Sequence, residues 1–325
     1  MTTTDLLAHN LLSPVILSFV LGVIAKLTRS DLAFPEALSK TLAIFLLLAI
    51  GMKGGMALDA ARLDQVAWAA LATVLIGVAI PCWTYVITRR LGRFTVADAA
   101  SLAAHYGSTS AVTFLATVAF LTSAGQPPEG FMPALLALME VPAIVVALVL
   151  LRRCQPAATG DTTSMGRVIY QVMASKSILL LLGGLVIGWA SGREGMAEVS
   201  AFFVAPFKGV LCLFLLELGM VAAGQLGELR ARWRFLIPFA VLMPLAHGGL
   251  GVLAGHYAGL SPAGATVLGT LAASASYIAA PAAMRIANPS ANHALALAAS
   301  LGVTFPFNLA LGIPLYHAFA TMLGT

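Results

Sequence analysis

Long apolar segments are the feature that most limits what this chain of 325 residues can fold into. A membrane-spanning helix needs about 20 consecutive, mostly apolar residues. Sixty per cent of the residues are hydrophobic and 10% are charged, too few charges to cover a water-facing surface. The sequence therefore predicts an all-α polytopic membrane protein with ten transmembrane helices. The expected spans are 11–28, 35–58, 65–89, 96–121, 130–152, 175–191, 201–224, 235–257, 262–286 and 292–322.

Two serine-rich stretches lie at the middle of apolar segments, one in each half of the chain. They are Tyr106-Gly-Ser-Thr-Ser-Ala-Val-Thr113 and Ala273-Ser-Ala-Ser-Tyr-Ile-Ala-Ala-Pro281. Close packing of small residues between helices would explain one such stretch. Two stretches at matching positions instead predict a pair of helices broken at mid-membrane, which is a pointer to a transporter binding site.

The order of several motifs repeats between the halves at an offset of about 166 residues. Leu21-Gly-Val-Ile-Ala25 corresponds to Val186-Ile-Gly-Trp-Ala190, and Ala49-Ile-Gly-Met-Lys-Gly-Gly55 corresponds to Glu217-Leu-Gly-Met-Val-Ala-Ala223. Because five spans are expected in each half, the second half must enter the membrane from the opposite side. We therefore expect two inverted five-helix repeats. The expected division is 1–153 for the first repeat, 154–176 for a short cytoplasmic connecting loop, and 177–325 for the second repeat.

The placement of Lys and Arg predicts the orientation in the membrane. One set of loops holds most of these residues, and the opposite set holds little beyond Arg62 and Arg193. Cytoplasmic loops are enriched in Lys and Arg, so we expect both termini outside the cell. The basic residues behind the net charge of +5 are then interpreted as topology signals and contacts for lipid headgroups, and not as a nucleic-acid-binding surface. The basic set is Lys26, Arg29, Arg89, Arg90, Arg93, Arg152, Arg153, Arg167, Arg230, Arg232, Arg234 and Arg285.

The two predicted breaks would present helix N-termini to each other from opposite sides. A helix N-terminus carries unpaired backbone N–H groups and a partial positive charge, both of which suit an anion. Neither break contains Lys or Arg, so dipoles and hydroxyl groups would hold a small, transported anion. The expected anion-binding residues are Gly107, Ser108, Thr109, Ser110, Ser274, Ala275, Ser276 and Tyr277.

Polar side chains in the expected fifth and tenth spans could hold a coupling cation. Glu140 lies near the centre of its span, where a carboxylate is costly unless it faces a cavity, an ion or a partner. Asn308 lies at a similar depth, and such oxygen ligands fit an alkali cation. A protonated Glu140 bound to a neighbouring helix is the alternative. The predicted sodium ligands are Thr113, Glu140, Thr304 and Asn308, and no other cofactor is expected.

Enzyme motifs are missing from the sequence. It contains no His-Glu-x-x-His zinc motif and no Gly-x-x-x-x-Gly-Lys-[Ser/Thr] phosphate loop, so we do not expect an enzyme. His247 lies centrally in its expected span. A lone histidine there is interpreted as a packing residue, with a proton relay as the alternative.

With these motifs the chain resembles the sodium-dependent bicarbonate transporter family, known from carbon concentration in cyanobacteria. The resemblance covers nearly the whole chain. It implies an inverted-repeat fold with a mobile core domain, a homotrimer, and elevator-type symport of bicarbonate with sodium across the bacterial inner membrane. It places bicarbonate between Gly107–Ser110 and Ser274–Ser276, with sodium close by. The matching segments are Ile50–Ala57, Tyr106–Ser110, Leu138–Ala143, Leu229, Pro244–Gly248, Ala272–Ser276 and Pro281–Arg285.

Two residues depart from the pattern of the cyanobacterial members. Tyr277 and Glu140 each stand where those members have an aspartate. The coupling ion therefore stays open between sodium and a proton, and a proton-coupled anion carrier or a cation–proton antiporter that uses Glu140 is the alternative function. A non-transporting membrane sensor is a third. The resemblance also implies a small trimeric signalling protein as regulator, although the connection between the halves is much shorter here.

Overall fold

The fold is helical throughout the part of the chain that the computed structural model describes, which is residues 10–58, 63–154 and 165–324. The expected all-α class is confirmed for these residues. Arg62 and the centre of the expected connecting loop lie outside them. The helices are α1 (Pro14–Leu27), α2 (Glu36–Met56), α3 (Leu63–Arg90), α4 (Val96–Gly107), α5 (Ala111–Ser123), α6 (Met132–Cys154), α7 (Met165–Met173), α8 (Lys176–Phe203), α9 (Phe207–Gln225), α10 (Trp233–Tyr257), α11 (Pro262–Ala273), α12 (Ala279–Ala287) and α13 (His293–Gly324).

Seven helices among the described residues are long and apolar enough to cross a membrane, fewer than the ten spans expected. They are α2, α3, α6, α8, α9, α10 and α13. Two further apolar helices, α1 and α11, are shorter. The difference arises partly because two expected spans are each divided into two short helices: 96–121 into α4 and α5, and 262–286 into α11 and α12. The chain is a multi-pass membrane protein.

The breaks occur where the sequence predicts them, at the serine-rich stretches. The backbone leaves the helical conformation at Ser108 (φ −84°, ψ 172°) and at Ser274 (φ −77°, ψ 164°). After the first break, the Ser110 hydroxyl accepts the Thr113 N–H at 3.2 Å and begins α5. Serine is a good N-cap because its side-chain oxygen satisfies one of the N–H groups left open at a helix start.

The residues of α13 form an unusual helix. Ser300–Thr304 and Asn308–Gly312 are π-helical and lie on either side of Phe305–Phe307. Pro306 sits between them, and a proline inside a helix cannot donate a backbone hydrogen bond. The wider π turns are rare in proteins, and those that do occur are often found at functional sites. Here they carry Thr304 and Asn308.

Four helices, α1, α2, α8 and α9, pack through glycines, and we call them the four-helix layer. In the crossing of α2 with α8, a Cβ on Gly55 would overlap the Leu185 carbonyl, and one on Gly188 would overlap the Met52 carbonyl. In the crossing of α1 with α9, Gly22 and Gly219 meet the opposite backbone in the same way. Only glycine permits this approach, since any other side chain would push the backbones apart.

Eight further helices among the described residues, both long and short, form a second group, which we call the core bundle. It contains α3, α4, α5, α6, α10, α11, α12 and α13, with close packing of α10 on α11 and of α3 on α4 and α6. Both broken helices lie in this group. Short α7, which falls within the expected connecting loop, contacts α6, α8 and α12.

The glycine contacts generate a stability prediction. Gly188→Ala should force the α2–α8 backbones apart and lower the free energy of unfolding by about 1–3 kcal/mol, the usual cost of overpacking. The measurement is the thermal melting temperature of the purified protein in detergent. Gly183→Ala is the matched control, because a Cβ at this position of the same helix meets nothing within 4 Å. Equal melting temperatures for the two variants would contradict the prediction.

Candidate functional site

The two helix breaks lie directly against each other in the core bundle. The Ser274 hydroxyl accepts the backbone N–H of Ser110 at 2.9 Å and lies 3.0 Å from the Thr109 hydroxyl oxygen. In return, the Ser276 N–H donates to the backbone carbonyl of His105 at 2.8 Å. The structure therefore brings together the two stretches that the sequence singled out, and each satisfies backbone groups that the other break leaves open.

The serine hydroxyls also cap the helices that begin at this junction. Ser110 caps α5, and the Ser276 hydroxyl accepts the Ala280 N–H at 3.1 Å at the start of α12. The serine and threonine residues of both breaks are at most 3% exposed, and the Ser108 hydroxyl has no hydrogen-bond partner among the described residues. Two helix N-termini and a cluster of hydroxyl groups are thus buried at one place.

Gly107 and Ala275 contribute to the packing of the junction. A Cβ on Gly107 would come within 2.8 Å of the Pro81 ring, so α4 can end against α3 only with glycine here. Ala275 is 3% exposed. Both positions favour small residues because helices cross closely around them.

A small pocket, which we call the site pocket, lies at the junction and has a cavity volume of about 10 Å³. Glu140 is the one acidic side chain in its lining. That carboxyl group is 3% exposed, and its Oε2 atom has no hydrogen-bond partner among the described residues. Leaving a buried carboxyl oxygen unpaired is costly, and a bound ion, a proton or an ordered water molecule could satisfy it. The lining is Thr109, Ser110, Ala111, Glu140, Ser177, Ser276, Tyr277 and Ile278.

Tyr277 lines the site pocket and packs its ring edge-on against Phe305 at 5.5 Å between ring centroids. A phenol can both donate and accept a hydrogen bond but carries no negative charge near neutral pH. This position of the second break therefore supplies a hydroxyl group, and Glu140 remains the one acidic side chain of the pocket.

Of the four predicted sodium ligands, only Glu140 lines the site pocket. The Thr304 hydroxyl lies 2.8 Å from the Tyr106 hydroxyl and donates to the Ala240 carbonyl at 2.8 Å. Thr113 is buried, and its backbone N–H donates to Ser110. The structure does not gather these side chains around Glu140, and their assignment to sodium stays a prediction.

Asn308 supports the second break through its hydrogen bonds. Its amide group donates to the carbonyl of Ala273, the last residue of α11, at 2.9 Å. Its amide oxygen accepts from the Tyr316 hydroxyl at 3.1 Å, and this hydroxyl also lies 3.0 Å from the Pro244 carbonyl. Asn308 thus satisfies a carbonyl that a broken helix leaves without an intrahelical partner.

Four further residues belong to this region and were not among the predicted site residues. They are His105, whose carbonyl accepts the Ser276 N–H, and the pocket residues Ala111, Ser177 and Ile278. His105 directly precedes the Tyr-Gly-Ser motif, and this adjacency is a sequence signal that could have identified it. Ser177 lies at the start of α8, far from both motifs in sequence, and no pattern marks it.

His247 finds a hydrogen-bond partner, as expected of a packing residue. Its Nε2 atom accepts the indole N–H of Trp83 at 2.7 Å. Because indole nitrogen can only donate, this contact requires an unprotonated Nε2. The bond joins α3 to α10, one helix from each half of the chain.

The comparison with protein families matches almost the entire chain. The model of the family described as the Na+-dependent bicarbonate transporter superfamily matches residues 14–321, which include both breaks and every residue of the site pocket. A comparison with curated proteins gives no significant match.

The junction between the breaks yields a testable expectation for Ser274→Ala. The substitution leaves the Ser110 N–H buried without its acceptor, which should cost about 1–3 kcal/mol of stability. Thermal melting of the purified variant measures the effect, with Ser191→Ala at an exposed position of α8 as the control. If Ser274→Ala melted at the temperature of the control, the hydrogen bond between the breaks would not stabilise the fold.

Proposed function

This chain belongs to the Na+-dependent bicarbonate transporter superfamily, and we propose that it is a secondary active transporter that carries bicarbonate into the cell together with sodium. The observation that carries the proposal is the contact between Ser110 and Ser274, which places two helix N-termini and their hydroxyl groups at one buried pocket. Without family membership, this geometry alone would support only a small-anion site.

The chemistry of the site pocket suits bicarbonate. Bicarbonate carries one negative charge, accepts hydrogen bonds through its oxygens and donates one through its hydroxyl group. Backbone N–H groups at the starts of α5 and α12 can donate hydrogen bonds to its negatively charged oxygens. The hydroxyl groups of Ser110, Ser276 and Tyr277 can donate or accept, so they can also pair with the bicarbonate hydroxyl. The pocket lining holds no Lys or Arg, which favours an anion that must be released again.

The helix order supports the proposal of two inverted repeats. Helix α4 begins at Val96 and α11 at Pro262, and both helices run for 12 residues before their breaks. The packing is reciprocal as well, since the first helix of one half contacts the second helix of the other, α1 with α9 and α8 with α2. With each broken pair counted as one span, α1–α6 and α8–α13 give five spans apiece. Ten spans place both termini on the same side of the inner membrane, and in this proposal that side is the outside of the cell.

Transport by an elevator-type movement fits the division of the helices. In this proposal the core bundle carries the site and moves against the four-helix layer, whose backbones are held by their glycine contacts. A homotrimer would anchor the layer. Binding of a small trimeric signalling protein stays a prediction from the family resemblance.

We assign the coupling cation to Glu140, because its unpaired carboxyl oxygen lines the pocket that would hold the anion. A sodium ion beside Glu140 would neutralise the carboxylate and attract bicarbonate, so each ion would strengthen binding of the other. The same unpaired oxygen favours a second candidate function, a proton-coupled carrier in which Glu140 takes up and releases the proton. A non-transporting sensor would bind the anion without moving it.

Uptake into proteoliposomes tests the proposal. We expect radiolabelled bicarbonate to accumulate when a sodium gradient is imposed, but not when potassium replaces sodium. In the same assay, Ser276→Ala should raise the half-saturating bicarbonate concentration about tenfold, the size expected for one lost hydrogen bond to a charged ligand. No accumulation with either cation would show that bicarbonate is not the cargo, and binding retained without uptake would indicate a sensor.

A Glu140→Gln variant separates the two coupling ions. If sodium binds beside the carboxylate, uptake should lose its sodium dependence. If a proton is coupled, wild-type uptake should be independent of sodium and steep in pH, and the variant should lose the pH dependence. Glu198→Gln, at an exposed position of α8, is the control and should retain wild-type behaviour. Unchanged sodium and pH dependence in Glu140→Gln would exclude Glu140 from coupling.

A further inference from the structure

Next to the site pocket, on one side of the protein, lies a wider groove with a cavity volume of about 210 Å³. Two residues, Ser177 and Ile278, line both cavities. The groove runs between α7, the start of α8 and one face of α12, where Ala279, Ala282 and Ala283 present small side chains. A passage from the junction of the breaks toward the surface that carries α7 would run through this groove.

The groove opens on the basic side of the molecule. Helices α3 and α6 end here in Arg89–Arg90 and Arg152–Arg153, and Lys176 lines the groove itself. The positive-inside rule assigns such a side to the cytoplasm. On the opposite side, two cavities share Lys53 and Thr122 but have no lining residue in common with the site pocket. Of these cavities, the groove on the basic side is the one that shares lining residues with the site pocket.

Ser177 is the residue of the four-helix layer that reaches the site pocket. It lies in the first turn of α8, where the Ser175 hydroxyl caps the helix by accepting the Ile178 N–H. Ser177 is 3% exposed, and across the same pocket lies the unpaired carboxyl oxygen of Glu140. A third helix N-terminus and a third serine thus face the junction, from a different group of helices than the first two.

We propose that Ser177 is a third contact for the transported anion, made only when the site is open to the cytoplasm. The inference rests on the proposed function and refines it. If the core bundle moves against the four-helix layer, Ser110 and Ser276 travel with the site, whereas Ser177 stays with α8. The anion then keeps its contacts with Ser110 and Ser276 throughout transport, and it gains or loses the contact with Ser177 when the site opens to or closes from the cytoplasm. Lys176 lines the groove through which the anion would leave.

Cysteine labelling tests both the passage and the contact. Ser177→Cys is placed in a background in which Cys82, Cys154 and Cys212 are replaced by serine, and a membrane-impermeant thiol reagent is applied from each face. We expect labelling about tenfold faster from the face that carries α7, because the groove on this face shares Ser177 with the site pocket. Sodium bicarbonate at saturating concentration should slow it severalfold. Ser191→Cys, exposed on the same helix, is the control that bicarbonate should not protect.

Transport kinetics supply the second readout. Ser177→Ala should raise the half-saturating bicarbonate concentration about tenfold when transport starts from the cytoplasmic face, with a smaller change from the outer face. Ser177→Thr, which keeps the hydroxyl group, should restore the wild-type value. A merely structural role would alter both faces alike and would not predict rescue by threonine.

The outcomes separate the two proposals. Suppose that the wild type takes up bicarbonate. The role of Ser177 is then overturned, and the proposed function is left intact, if Ser177→Cys is not labelled, if it is labelled equally from both faces, or if bicarbonate does not slow its labelling. Absence of uptake in the wild type overturns the proposed function, and the contact between Ser177 and bicarbonate falls with it. Sided labelling that bicarbonate slows, together with the asymmetric effect of Ser177→Ala, supports the inference.

Discussion

The fold around the site depends on the hydrogen bond between the Ser110 N–H and the Ser274 hydroxyl. A helix that breaks inside a membrane protein exposes N–H and carbonyl groups where no water can satisfy them, and each unpaired group costs free energy. Each break here supplies part of what the other lacks, since Ser276 returns a hydrogen bond to the His105 carbonyl. One broken helix alone would leave these groups unpaired, and two placed together satisfy part of each other's backbone groups.

The supporting network reaches into α13. Asn308 satisfies the carbonyl of Ala273 at the end of α11, and Thr304 joins the Tyr106 hydroxyl to the Ala240 carbonyl. Both residues lie in π-helical turns, which shift side chains relative to a regular helix. The irregular helix thereby brings polar side chains to the two breaks, and its π-helical turns lie next to the candidate site.

The two groups of helices are held together by different physics. Backbone-to-backbone contacts at Gly55, Gly188 and Gly219 leave little freedom within the four-helix layer, because dense packing has few alternative arrangements. The core bundle is held by buried hydrogen bonds around the breaks as well as by apolar packing. The site pocket is lined from both groups, by Ser177 of the four-helix layer and by Glu140 of the core bundle, so its lining depends on their relative position.

Much of the architecture was readable from the sequence, and the site only in part. Apolar segment length determined the helical membrane class, and the serines with Gly107 determined where two helices break, because these properties follow from local chemistry. Which groups meet was decided by tertiary structure. The pairing of Ser110 with Ser274, the capping of Ala273 by Asn308 and the approach of Ser177 to the pocket depend on distances between helices far apart in sequence. Helix periodicity says which side chains share a face, but only packing determines which faces meet.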